Sequence, residues 1–256
     1  MALLRDGNPN NTEDLRVFET EILRVAHVEA IDLDAKLRLA AGEVSYEVID
    51  TLVDRAAAND PRSASRRSIG VSDVVVTPQL RRWHALHTLK VVYRDSYNNQ
   101  LNDRYRTKWK EYRDLSQEAR EQTARFGIGI VTNPIPRGQV PVFSNVPGLR
   151  PSTIYYVQVS WLHSRGGEGS PSVLTTYQTP EGSEMAIGVE NAPPDITGWN
   201  VYVGLSESSL TKQNSSVLTL AETFVVTPGE LLVGETPGDG QAPDTYVVGG
   251  RTLRRR

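Results

Sequence analysis

His84 and His87 stand three residues apart, a spacing that puts two imidazoles on one face of a helix, where they could share a metal ion. No HExxH arrangement and no third ligand accompany them, so they read as ordinary surface histidines and no metal site is expected. Glu43 with Glu47, and Glu118 with Glu121, have the spacing of paired acid and base groups, but solvated helix faces repeat carboxylates in the same way and nothing assigns these to a cleft. The glycines of "GGEGSPS" do not form a G-x-S-x-G elbow. Those of "GETPGDGQ" lack the lysine and hydroxyl of a phosphate loop, and both stretches read as turns. Asn10 and Asn214 match the glycosylation pattern only as bare triplets. The expectation is no catalytic residue, no metal, no cofactor and no enzyme.

The elements carrying these residues follow from composition and period. A chain of 256 residues, 38% apolar and 23% charged, buries one large core or two modest ones, and two domains fit better. No window reaches the roughly eighteen apolar residues of a membrane span, the first residues show no targeting signal, and the absence of cysteine fits a reducing cytoplasm. Residues 1–126 carry 20 basic against 20 acidic side chains. Residues 127–250 carry 4 against 11, a net of −7, which argues against general nucleic-acid binding.

Up to Phe126 the period is helical. Asn11 or Thr12 caps a helix with Leu15, Phe18, Ile22 and Val25 on one stripe; a second, from Asp32 or Asp34, aligns Leu33, Leu37, Ala41, Val44, Val48 and Leu52. Residues 56–73 read as a long loop in which Arg62, Arg66 and Arg67 either meet solvent or face a channel or partner. Thr77 and Pro78 open a third helix with Leu80, Trp83, Leu86, Leu89, Tyr93 and Tyr97 on its stripe, interrupted at Asn98 and Asn99. A fourth places Leu101, Tyr105, Trp109 and Tyr112 together. The aromatic residues Trp83, Tyr93, Tyr97, Tyr105, Trp109 and Tyr112 serve helix packing or a subunit interface.

After Phe126 the period falls to two. In "TIYYVQVSWLH", Tyr155, Val157, Val159 and Trp161 share one face and Ile154, Tyr156, Gln158 and Ser160 the other; "EMAIGVE", "GWNVYVG", "SVLTL" and "TFVV" follow as further strands. The fold class is therefore α+β and multidomain: an N-terminal helical domain over 1–125, a linker over 126–141, an immunoglobulin-like or fibronectin type III-like β-sandwich over 142–243, and a basic tail over 244–256.

The helical segments "AIDLDAKLRLAAGEVSYEVIDTLVDR" and "VSDVVVTPQLRRWHALHTLKVVYRDSYNNQLNDRYRTKWKEY", with "ITGWNVYVGLSESSLTKQN" in the β half, resemble structural proteins of tailed bacteriophages, in particular head–tail connectors, or neck adaptors. The helical resemblance spans about residues 12–125; β modules of this kind are grafted onto many virion proteins. The resemblance implies a homo-oligomeric ring, commonly twelvefold, that binds the portal protein in the virion neck, is assembled in the host cytoplasm, joins further neck and tail completion proteins and touches no membrane. It also implies a portal-binding tail. On that expectation Tyr246, Val247 and Val248 add a strand to a portal sheet edge, while Arg251, Leu253, Arg254, Arg255 and Arg256 meet portal carboxylates or, transiently, packaged DNA. The alternative is a capsid decoration or tail-associated protein working through its β domain, and a virion cell-wall hydrolase is the enzyme reading.

Overall fold

The computed structural model describes residues 1–58, 69–100, 103–226 and 231–248, with the backbone alone for 53–58 and residue 100. It is α+β, with N-terminal helices followed by antiparallel sheets. The chain forms two compact units: Leu4–Thr132 with Pro243–Arg256, and Met1–Leu3 with Asn133–Ala242. The β unit is thus inserted in the helical one, which the chain leaves after Thr132 and re-enters at Pro243. Residues 128–130 of the expected linker and 245–247 of the expected tail form strands of the helical unit.

In the helical unit, Asn11 caps α1 (Thr12–Phe18) with a capping box, its side chain accepting from the Asp14 amide and its own amide donating to Asp14 Oδ2. The single helix expected from Leu15 to Val25 is broken. Glu19 turns extended after α1, and α2 (Ile22–Val28) starts afresh, because the Glu19 carboxylate is drawn inward by Tyr112 and Lys108. Phe18 is left exposed. Helix α3 (Leu33–Ala58) buries Leu33, Leu37, Ala40, Val44, Val48 and Leu52; its stripe runs through Ala40 rather than Ala41. The expected loop begins later than residue 56, since α3 continues to Ala58.

Helix α4 (Pro78–Gln100) starts as read, with Thr77 Oγ1 accepting from the Leu80 amide, and runs through Asn98 and Asn99 without interruption. Near its end Tyr97 stacks on Trp109 at 5.8 Å, so packing outweighs the weak helix propensity of the asparagines. Helix α5 (Arg106–Phe126) stops at Gly127, whose φ of +98° suits glycine and whose amide donates to the Thr123 carbonyl.

Strand β1 (Ile128–Ile130) then pairs antiparallel with β9 (Thr245–Val247), Ile128 opposite Val247 and Ile130 opposite Thr245. On its other edge the Val75 amide donates to the Gly129 carbonyl and Val74 bridges to Ile130. Val247 joins the helical core.

The β unit holds two antiparallel sheets. One has the order β2 (Val142–Pro147), β5 (Ser183–Gly188), β8 (Phe224–Val225); the other β4 (Thr175–Gln178), β3 (Ile154–His163), β6 (Ile196–Gly204), β7 (Thr211–Lys212). Tyr155, Val157, Val159 and Trp161 of β3, Met185 and Ile187 of β5, and Trp199, Val201 and Val203 of β6 build one core. The segment "SVLTL" contributes only a bridge from Leu218 to Trp199. The other side of β3 and β6 is polar yet buried: Ser160 and Tyr202 both donate to Glu168 Oε1, and the Asn214 amide donates to Asn200 Oδ1. The unit's two ends lie together, the Gln241 amide donating to Asn133 O at 2.9 Å and its Oε1 accepting from the Ile135 amide at 2.7 Å.

Candidate functional site

Three helices of the helical unit frame a cleft. Trp83, His87 and Lys90 recur at steps of four and three on α4 and form its floor; Glu43 and Glu47 of α3 stand on one side, and Arg113, Ser116, Gln117 and Arg120 of α5 on the other. The cavity lined by Trp83, His87, Lys90 and these α5 residues measures about 270 Å³. His87 Nε2 lies 2.5 Å from Glu43 Oε2 and Nδ1 lies 3.2 Å from Ser116 Oγ, which assigns the proton to Nε2 and leaves Nδ1 as acceptor. Lys90 Nζ is 3.2 Å from each ring nitrogen. Arg120 closes the cleft further along with a 2.6 Å bond to Glu47.

Burial sets the electrostatics of this cluster. It lowers the pKa of His87, with the Glu43 carboxylate opposing it, and lowers that of Lys90. Burial also pushes Glu43 up, but His87, Lys90 and Arg94 together hold its carboxyl below the ordinary value.

Ser116, His87 and Glu43 follow the order of a nucleophile, its base and an orienting acid. Ser116, however, sits in the middle of α5, where the neighbouring backbone amides are committed to the helix. The three side chains act as a clasp joining α3, α4 and α5. Among the described residues no group of three or more His, Asp or Glu could hold a metal.

Two further polar clusters lie inside the helical core. Glu19 Oε2 accepts from Tyr112 Oη at 2.9 Å and from Lys108 Nζ at 3.0 Å, and Tyr93 stacks on Tyr112 at 5.3 Å. Burial, then Glu19, pushes the Tyr112 phenol up, and the same causes raise Tyr93. His84, read as a surface residue, is fully buried between Asn10 and the Leu37 carbonyl. The reason is its place on the inner side of α4, which the three-residue spacing to His87 does not reveal.

Of the aromatic residues singled out, Trp83, Tyr93, Tyr105 and Tyr112 are buried within the helical unit, and Tyr97 and Trp109 are partly buried against its core. Tyr246 and Val247 lie in β9 and Val248 just after it. Arg62, Arg66, Arg67, Arg251, Leu253, Arg254, Arg255 and Arg256 lie outside the described residues. Sequence reading passed over Lys90, Ser116 and Glu19, and weighed Asn10 only as a glycosylation triplet. Ser116 had a signal, because Tyr112, Ser116, Ala119 and Thr123 continue one stripe at steps of four, three and four, and all four are buried; Asn10, a loop residue reaching α4, had none.

Comparison with known proteins gives no matching family model, no matching curated protein and no matching solved structure.

Proposed function

We propose that the chain is a structural virion protein of a tailed bacteriophage, a head-to-tail adaptor whose helical unit forms a ring beneath the portal and whose inserted β unit is a fibronectin type III-like or immunoglobulin-like sandwich. The observation that carries the assembly reading is the outer stripe of α3. Leu39, Tyr46 and Ile49 follow at steps of seven and three, with Gly42 between them, and expose 45%, 76% and 38% of their surface, while the opposite stripe of the same helix is core. Contiguous apolar surface on a rigid helix marks an association face. The sandwich reading draws support from the order β4-β3-β6-β7, which joins two hairpins through their first strands while β5 crosses to the other sheet over a shared core.

The β9 pairing alters how a portal-binding tail would work. Tyr246 and Val247 are already spent on β1 and the core, so adding them to a portal edge requires their release. On this reading Arg251, Leu253 and Arg254–Arg256 make the portal contact, with packaged DNA as the other recipient. A deletion from residue 245 would strip β1 of its partner. The truncation to make ends after Val248; it should abolish docking on portal rings without changing the thermal unfolding of the helical unit, and undiminished docking refutes the tail's role.

A second reading, a decoration or tail-associated protein, is favoured by the closed ends of the inserted β unit, the mark of a portable module. Quantitative mass spectrometry of purified virions against the major capsid protein separates the two. A copy number fitting one ring at a unique vertex supports the adaptor, hundreds support decoration, and none removes the virion reading.

A further inference from the structure

We infer that the β unit pairs with a second copy of itself through the open edges of β2 and β4. Each strand ends its sheet, β2 in the order β2-β5-β8 and β4 in the order β4-β3-β6-β7. The Gly148 amide donates to the Gly182 carbonyl at 2.9 Å, continuing the β2–β5 register, so Val142, Ser144 and Val146 exchange bonds with β5. Phe143 and Asn145 therefore turn their N–H and C=O groups to the open side. The Thr179 amide donates to the Thr153 carbonyl in the β3–β4 register, which leaves Thr176 and Gln178 facing outward in the same way. Among the described residues nothing bonds these outward backbone groups. The far edge of the β4 sheet is covered: residues 232–235 run along β7, the Lys212 amide donating to Glu235 O at 2.9 Å and Thr211 Oγ1 to Leu232 O at 2.7 Å.

A second copy fits these edges better than a lone foreign strand does. The Phe143 and Tyr177 rings stack at 4.7 Å, which brings β2 and β4 level on one side of the unit. Antiparallel pairing of β2 with its copy centres on Ser144, between the two outward residues, and pairing of β4 with its copy centres on Tyr177 for the same reason. Ser144 adjoins Phe143, so one two-fold axis crossing the sheets at Ser144 and Tyr177 pairs both edges at once, whereas a single strand satisfies only one. Charge agrees with this choice. Although the unit is acidic, neither VFSNVP nor TTYQ holds a charged side chain, so no like charges meet across the axis. Apart from Pro147 at its end, β2 has no lysine and no bulge to guard its edge. The pairing also sets Val142, 45% exposed, opposite Val146 of the second copy. Two short strand pairs bury little surface, so the association is weak and depends on concentration. It is independent of the ring proposed for the helical unit.

The test is sedimentation of the full chain across a concentration series up to the millimolar range, with amide hydrogen exchange read at both ends of the series. The amides of Phe143, Asn145, Thr176 and Gln178 should slow as the dimer forms, while those of Val142 and Ser144, already bonded to β5, should not change. Ser144→Lys and Ser144→Glu each set like charges against themselves at the axis and should weaken the dimer by about fivefold or more. An equal mixture of the two variants should restore it. Ser144 is exposed, so both variants should keep the parent's unfolding midpoint. A chain that stays monomeric throughout overturns the proposal and leaves the edges to a strand of another protein. A dimer indifferent to both Ser144 variants, or a mixture no tighter than either variant alone, overturns it as well. Self-association that survives Ser144→Lys but is lost in Tyr46→Lys lies on α3, which overturns this proposal and supports the assembly reading above.

Discussion

His84 is held neutral by its surroundings, and acid should expose the cost. Its Nδ1 lies 2.9 Å from the Asn10 side-chain amide, whose nitrogen also donates to the Arg81 carbonyl at 2.7 Å, and its Nε2 lies 3.1 Å from the Leu37 carbonyl. The ring thus donates from Nε2 and accepts at Nδ1, and a proton added at Nδ1 would face an N–H donor. Burial lowers the pKa from 6.5 to about 4, with the Leu37 carbonyl opposing and His87 adding to the fall. Because the unfolded chain takes up this proton first, nothing is lost above pH 6.5. Stability then declines as pH falls towards 4, and the loss levels off below that, at about 3 kcal/mol by linkage. By pH 5 about 2 kcal/mol should be gone. The control is His84→Gln, whose amide can donate to Leu37 and whose carbonyl can accept from Asn10. Urea unfolding of both proteins, followed through helical circular dichroism between pH 7.5 and 5, isolates the contribution as a difference in slope, since the other titrating groups are common to both. Coincident slopes would refute the buried, neutral assignment.

Matched pairs elsewhere in the fold give the remaining tests. Trp161 and Trp199 face each other across β3 and β6 and are both fully buried, but of the two indoles only that of Trp199 has a hydrogen-bond partner among the described residues, its Nε1 donating to Thr219 O at 3.0 Å. Trp199→Phe should therefore cost about 1 kcal/mol more than Trp161→Phe in denaturant unfolding of the β unit, and equal costs would contradict this. An added Cβ at Gly138 would sit 2.0 Å from the Val159 carbonyl, whereas one at Gly42 meets nothing within 4 Å. Gly138→Ala should lose about 1–3 kcal/mol, and Gly42→Ala in α3 should gain about 0.5–1 kcal/mol, so melting temperatures should move in opposite directions. Val247→Ala removes part of a buried side chain and should cost the helical unit about 1–2 kcal/mol; an unchanged midpoint would mean that β9 contributes nothing to that core.

Periodicity read best where one element alternates between core and solvent over several repeats. The inward face of β3 through Tyr155, Val157, Val159 and Trp161 was legible residue by residue, as was the α4 stripe from Leu80 to Tyr93. It read least well where a residue's partner lies far along the chain. Nothing local to His84 announces Asn10, and nothing local to His87 announces that its two ring nitrogens meet Glu43 and Ser116. Glu19 shows how a buried polar contact can accompany a break in a helical period, since the chain turns extended at the residue whose carboxylate meets Tyr112 and Lys108.

The closing strand is the extreme case. Thr245–Val247 is too short for its alternation to define a face, and its partner β1 is only three residues long on the far side of the whole β unit. Read from its own residues, such a strand is an unpartnered edge seeker, and a foreign sheet is a reasonable destination. Within the chain, the adjacent ends of the inserted unit bring β9 to β1 at a small loop-closure cost, so the pairing in cis has the advantage of high effective concentration. Any partner that takes β9 must outcompete that pairing and leave Val247 without its place in the helical core. The docking test therefore cuts after Val248, which leaves β9 and its pairing in place.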